Sequence, residues 1–169
     1  VIPDIITTAK GLTNGVIPMG AVMVQRDIHE ALMHGPTQMI ELFHGYTYSG
    51  HPIACAAGLA CLEVYREEGT FEQARELELH FEQAIHSLDD HPKVTDVRNF
   101  GLMGGLDIQP REGEPGTRGL EVHKRCYWDE DIMVRHSGDM LQFSPFLNAR
   151  PEDITRTFEI VRKVLDRID

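Results

Sequence analysis

Positive charge is in short supply in this chain. Its 169 residues carry 16 Lys+Arg against 27 Asp+Glu, a formal net charge of −11, which argues against nucleic acid or any partner held through a phosphate backbone. Cysteine is scarce too. Cys55, Cys61 and Cys126 are odd in number and lack CxxC spacing, so they are expected as reduced thiols in a cytoplasmic protein. No apolar run approaches membrane-spanning length, and the N-terminal residues lack the basic and apolar regions of a signal peptide. The nine histidines do not fall into HExxH, HxH or Cys/His ligand spacing, so no metal site is expected. A GxSxG elbow, a Walker-type loop and a dinucleotide fingerprint are missing, as are internal repeats and low-complexity tracts. The chain starts at Val1, without an initiator methionine, and enters strand-like sequence at once; it is expected to be the back part of something longer.

The remaining composition, 41% hydrophobic and 25% charged, is that of a globular chain able to bury a core. Its pattern is α/β. Ile5 to Thr8 and Gly20 to Gln25 read as strands, and Arg26 to Met33 as a short helix. Gly35 to Gly50 is a glycine- and aromatic-rich loop, followed from His51 to about Glu68 by a helix unusually rich in small residues. Thr70-Phe71-Glu72-Gln73 has the form of a capping box. It opens a helix to about Leu88 with Phe71, Ala74, Leu77, Phe81, Ala84, Ile85 and Leu88 at three- and four-residue spacing. Beyond Asp89-Asp90-His91-Pro92 the pattern turns to strands at Val94 to Phe100 and Leu102 to Ile108, flanking Gly101. A polar loop, a helix from about Leu120 to Asp129 and short strands at Ile132–Arg135 and Met140–Phe143 follow. Pro151 stands in the first turn of a last helix, with Ile154, Phe158, Val161, Leu165 and Ile168 on one stripe. This division predicts a piece of a larger α/β domain over residues 1–91 and a compact α+β domain over 92–169.

Three places can carry chemistry. Lys10 follows the apolar, β-branched run Ile5-Ile6-Thr7-Thr8-Ala9 and precedes Gly11, with no acidic residue from Ile5 to Gly20 to pair with it. At the end of a buried element such an amine would be desolvated and its pKa lowered, as a Schiff-base lysine requires; the alternative is a surface lysine at a turn. His44-Gly45-Tyr46-Thr47-Tyr48-Ser49-Gly50-His51-Pro52 gathers hydroxyls and backbone amides at a helix start. That suits a phosphate, or is an ordinary glycine loop with Ser49 near the cap. Arg135 ends an apolar strand beside the turn Ser137-Gly138-Asp139. It suits bidentate capture of a carboxylate, or forms a salt bridge to Asp139 or Asp131.

Together these segments resemble one family. Asp4 to Gly15 with Pro18-Met19-Gly20-Ala21-Val22 is similar to the cofactor-lysine motif of class III (ω-) aminotransferases, which use pyridoxal phosphate. His44 to Pro52 with Ala54-Cys55-Ala56-Ala57 resembles the family's next motif. Val134-Arg135, Gly138-Asp139 and Leu141-Gln142-Phe143-Ser144-Pro145 resemble a third. The likeness runs from Val1 to Asp169, nearest to ω-amino acid–pyruvate (β-alanine–pyruvate) aminotransferases. It implies the fold type I transferase fold, with the end of the large cofactor domain followed by an α+β small C-terminal domain, in a homodimer. Lys10 then corresponds to the lysine that forms the Schiff base with the cofactor and shuttles the substrate proton. Thr47 corresponds to the threonine that holds the cofactor phosphate, typically across the dimer interface, and Arg135 to the arginine that receives the substrate carboxylate. The implied reaction moves an amino group from an ω-amino acid or amine to pyruvate or another oxo acid.

The family's pyridine-pairing aspartate, its glycine/serine phosphate segment and its ring-stacking aromatic residue lie upstream of the lysine, and this sequence contains no counterpart. Asp4 belongs to the lysine motif and is not that aspartate. The isolated chain is therefore expected to hold an incomplete site, not to turn over, and to leave apolar surface uncovered. A pyridoxal-phosphate aminomutase or racemase of the same fold is the alternative enzyme; a non-catalytic remnant is the alternative outside enzymes.

Overall fold

The computed structural model describes residues 1–39 and 42–169; residues 40 and 41, inside the glycine- and aromatic-rich loop, lie outside the described residues. The chain divides into two compact units, Val1–Glu68 and Gly69–Asp169.

In the first unit, β1 (Ile5–Ala9) and β2 (Gly20–Val24) form an antiparallel ribbon in the register Ile5↔Val24 to Ala9↔Gly20. A single 3-10 turn, Lys10–Leu12, leaves the end of β1. Helix α1 (Arg26–Leu32) follows β2, and α2 (Pro52–Glu67) carries proline in its first turn, where the missing N–H costs nothing. Small residues let α2 come close to the lysine turn. A Cβ added to buried Gly58 would stand 3.5 Å from Met19 Sδ and 3.6 Å from the Leu12 carbonyl. The ribbon itself is open to solvent: Ile5, Ile6, Val22 and Met23 are all about half exposed or more. β1 is therefore not the buried element that its β-branched residues suggest, because strand propensity does not say what covers a strand.

The second unit is a four-stranded antiparallel sheet in the order β3-β4-β6-β5, from β3 (Val94–Phe100), β4 (Met103–Ile108), β5 (Arg135–Ser137) and β6 (Met140–Phe143). It packs with α3 (Thr70–His86), α4 (Thr117–Glu130) and α5 (Pro151–Arg167). One core joins Leu106 and Ile108 of β4, Leu141 and Phe143 of β6, Phe81 and Ile85 of α3, Val122 and Cys126 of α4, and the α5 stripe Ile154, Phe158, Val161 and Leu165, continued by Ile168 just past the helix end. Burial raises the Cys126 thiol to about 12, and all three cysteines are free.

Several details differ from the sequence reading. Thr70 lies inside α3 rather than capping it: Gly69, left-handed at φ 61°, is the cap residue, and no side-chain cap bond forms. The capping box is therefore not built, and Phe71 stands exposed. Ile132–Val134 are not in a strand; β5 begins only at Arg135. The compact units part at Glu68 and Gly69, and within the second unit α3 packs on α5 and β3.

Two outcomes follow from this packing. A Cβ at Gly104 would stand 2.5 Å from Ile85 Cδ1 and 2.9 Å from Phe81 Cζ, both fully buried. Gly104→Ala should thus cost about 1–3 kcal/mol by overpacking, measured by urea unfolding of the second unit. Acid should also destabilise that unit. The Arg111 hydrogen bond at 2.5 Å holds Glu121 below the ordinary carboxylate value of 4.5, and the Lys163 hydrogen bond at 2.6 Å does the same for Glu130. Depressed folded values stabilise the native state above the unfolded pKa, and that contribution disappears as pH falls through the folded values. The melting temperature should be level above about pH 6 and fall steadily below about pH 4.5, with less fall for Glu121→Gln and Glu130→Gln.

Candidate active site

Lys10 occupies the turn that β1 feeds. Its backbone is left-handed, with φ 51°, a conformation costing a residue with a side chain on the order of 1 kcal/mol or more and typical of functional turns. Two interactions hold the turn. Tyr65 of α2 donates its hydroxyl proton to the Gly11 carbonyl at 2.6 Å, and Thr13, buried, donates to the Ile17 carbonyl at 2.6 Å. The Lys10 side chain itself is exposed, and among the described residues its amine has no hydrogen bond or ion pair. Lys10 is therefore available but not desolvated by this chain, contrary to the burial expected of it.

Thr47 lies in a compact exposed turn. The Ser49 amide donates to the Tyr46 carbonyl at 2.9 Å and the His51 amide to the Tyr48 carbonyl at 3.3 Å, while Tyr48 is left-handed at φ 67° and Gly50 likewise at φ 67°. Neither Ser49 nor the cap residue His51 gives α2 a side-chain cap, so its first amides stay open for an acceptor. His51 Nδ1 is buried without a hydrogen-bond partner. The turn sits at the N-terminal end of α2, whereas Tyr65, which touches the lysine turn, is about 20 Å further along that helix axis at 1.5 Å per residue. Among the described residues no hydrogen bond joins Lys10 to Thr47.

In the second unit, Arg135 opens β5 opposite Gln142 of β6. It lines an apolar cavity of about 570 Å³ with Met133, Phe143, Phe146 and Phe158 among its walls. Neither salt bridge expected as its alternative role is made. Among the described residues the Arg135 guanidinium has no ion pair. The Asp139 carboxylate instead accepts the Gly116 and Gly119 amides, and Asp131 caps α4 in a left-handed conformation. Asp153, which also lines the cavity, is paired with Arg150 at 2.8 Å, and that hydrogen bond holds its carboxyl below the usual range. Arg135 is thus a free, bidentate cation at the edge of an apolar cavity, the arrangement that recognises a carboxylate.

The contributions of Tyr65, Thr13 and Asp139 have no local sequence signal, since Tyr65 and Asp139 act on residues distant in the chain. Among the described residues no group of three or more His, Cys, Asp or Glu could hold a metal ion, and no helix is long and apolar enough to cross a membrane.

The first unit thus offers an unpaired lysine on a left-handed turn and an uncapped helix start with a hydroxyl loop, and the second an arginine without an ion pair among the described residues. Residues 1–165 match the family described as aminotransferase class III, and the chain belongs to that family. It is 48% identical over its whole length to an omega-aminotransferase of Caulobacter vibrioides and 44% identical over 99% of its length to a beta-alanine–pyruvate aminotransferase of Pseudomonas aeruginosa. It spans about 38% of the length of each. Among solved structures, an amine transaminase from an uncultivated Pseudomonas species, in a PLP-bound form, matches all of this chain and 39% of its own with a TM-score of 0.87 and 30% identity. The fold is that of part of a fold type I transaminase.

The lysine turn is directly testable. Tyr65→Phe removes one hydroxyl and should cost about 0.5–1.5 kcal/mol, with faster amide exchange at Gly11 to Asn14 and no change in the second unit.

Proposed function

We propose that these residues serve in a pyridoxal-phosphate transaminase that moves an amino group from an ω-amino acid or amine to pyruvate or another oxo acid. The observation that carries this reading is Lys10, an unpartnered amine held left-handed at φ 51° on a tethered glycine turn. The residues present fit the cofactor. Lys10 supplies the amine for its aldehyde, the Thr47 hydroxyl and the open α2 amides suit its phosphate, and the unpartnered His51 Nδ1 offers a further polar contact. When bound, the cofactor supplies the electron sink. Lys10 anchors it and moves a proton to and from the reacting carbon. Arg135 binds and orients the carboxylate of the amino acid or oxo acid.

Homodimerisation belongs to this proposal. The placement of the Thr47 turn at the end of α2 far from the Tyr65–Gly11 contact supports a phosphate grip given to a second copy rather than to the same chain's Lys10. In domain terms, residues 1–91 are assigned to the end of the cofactor domain, including the interdomain helix, and residues 92–169 to the small domain. Three free thiols support a reducing, cytoplasmic setting.

The test uses these 169 residues within a polypeptide of the relatives' full length. With β-alanine and pyruvate it should form alanine, and it should show the visible absorption of a lysine-bound cofactor. Lys10→Ala should abolish that absorption and lower kcat by at least about 10³-fold. Absorption retained in Lys10→Ala would assign the wrong lysine; an isomerised amino acid in place of alanine would make the enzyme a mutase or racemase.

A further inference from the structure

Arg135 is held by very little of its own strand. β5 has three residues, stands at the edge of the sheet, and pairs only with β6; the residues before it, Ile132–Val134, make no ladder at all. A side chain at the first residue of so short an edge strand is poorly fixed by the sheet alone. Both ends of the strand are instead fastened to α4. Before Arg135, the Val134 carbonyl accepts the His123 Nδ1–H at 2.7 Å. After it, at the turn into β6, the Asp139 carboxylate accepts two backbone amides from the start of α4, Gly116 N–H on Oδ2 at 2.5 Å and Gly119 N–H on Oδ1 at 2.9 Å.

The second fastening has the features of a built joint. The residue that caps α4, Gly116, has no side chain and forms no cap of its own, so the carboxylate reaching over from the β5–β6 turn takes the place of a local N-cap. Its negative charge also faces the positive end of the helix dipole. The approach leaves no room for a side chain. A Cβ on buried Gly119 would overlap the Gly138 carbonyl oxygen, and one on Gly116 would touch Gly138 at 3.5 Å. Gly138 turns the strand with φ 59°. These groups fix the height and tilt of the β5–β6 turn on α4, and so the direction from which Arg135 faces the cavity.

We propose that Asp139 is a positioning residue for Arg135. By pinning the β5–β6 turn to the N-terminus of α4 it sets the guanidinium for bidentate binding of a substrate carboxylate, and it acts on carboxylate-bearing substrates selectively. His123 secures the other end of the same strand. The inference rests on the carboxylate role assigned to Arg135 above.

The experiment uses the polypeptide of full relative length with Asp139→Asn, Arg135→Ala and the double variant. The amino-donor half-reaction is followed without oxo acid, once with β-alanine and once with propylamine, which lacks the carboxylate. Asp139→Asn should raise the half-saturation concentration for β-alanine in this single turnover between about 10- and 100-fold, the range expected from a misplacement near 1 Å, and leave the second-order rate constant for propylamine within about twofold. The double variant should lose no more toward β-alanine than Arg135→Ala alone, since both changes remove one interaction. The nitrogen relaxation of the Arg135 Nε–H should report a more mobile side chain in Asp139→Asn. Where Asp139→Asn gives no soluble protein, Asp139→Ser, which retains one acceptor for the helix amides, carries the same expectations at smaller size. Equal losses for both donors, or additive losses in the double variant, would reduce Asp139 to a structural cap and overturn the proposal. If Arg135→Ala itself treats the two donors alike, the carboxylate role of Arg135 fails instead, and the two failures are told apart by that one variant.

Discussion

One face of the β3-β4-β6-β5 sheet must be kept from water, and most of the second unit is arranged to do so. Leu106 and Ile108 on β4 and Leu141 and Phe143 on β6 alternate onto that face, each worth about 1.5–3 kcal/mol when fully buried. No single helix can cover them, so α3, α4 and α5 share the task, and α5 contributes the longest stripe. Gly104 sets how close α3 can come, because its missing side chain admits Ile85 and Phe81 directly over the strand. Once α4 is docked by Val122 and Cys126, its N-terminus lies beside the β5–β6 turn, and the joint between Asp139 and the helix amides becomes available. The arginine is therefore placed by a core that contains none of the chemistry.

The first unit works differently. Among its described residues few are buried: Thr13, Ala54 and Gly58. The lysine turn is held by two short hydrogen bonds and by the close approach of a small-residue helix rather than by an apolar core. Such polar ties are directional, which suits a segment that must keep a backbone in the left-handed region. They also bury little surface. Ile53, Leu59 and Leu62 of α2 and most of the β1–β2 ribbon remain exposed, apolar surface of the kind that marks contact with further protein.

Period carried the sequence reading where one face of an element is buried along its whole length. The α5 stripe is recoverable because five residues repeat at helical spacing and all five are buried, and the β3–β4 pair because Gly101, left-handed at φ 55°, turns two alternating runs into one another. Local patterns failed where a distant partner decided the outcome. Thr70 and Gln73 have capping-box spacing, yet Gly69 supplies the left-handed entry and the helix starts one residue early for the box. The apolar run before Lys10 has strand propensity, which describes the strand and not its cover. Asp139 is near Arg135 in sequence and was a natural ion-pair partner; its true partners lie about twenty residues upstream in α4. Lys10 and Arg135 stand out through motif resemblance, whereas Tyr65, which ties the lysine turn, and Asp139, which ties the β5–β6 turn, do not.

That misassignment has a chemical consequence for how a carboxylate would be recognised. An arginine already paired with a neighbouring aspartate must exchange one carboxylate for another, and the net gain from a substrate is then small. Here two candidates are committed elsewhere: Asp139 to the amides at the start of α4, and Asp153 to Arg150. The first commitment is stronger than an exposed ion pair, because it satisfies two helix amides that would otherwise lack acceptors and adds a charge–dipole attraction; the second is an exposed pair held by two hydrogen bonds. The guanidinium is left solvated but unpaired, beside apolar walls that lower the local dielectric once a ligand enters. A substrate carboxylate then gains a charge-assisted bidentate bond against the loss of water alone. Occupying the competing carboxylates is thus as much a part of the site as the arginine they leave free.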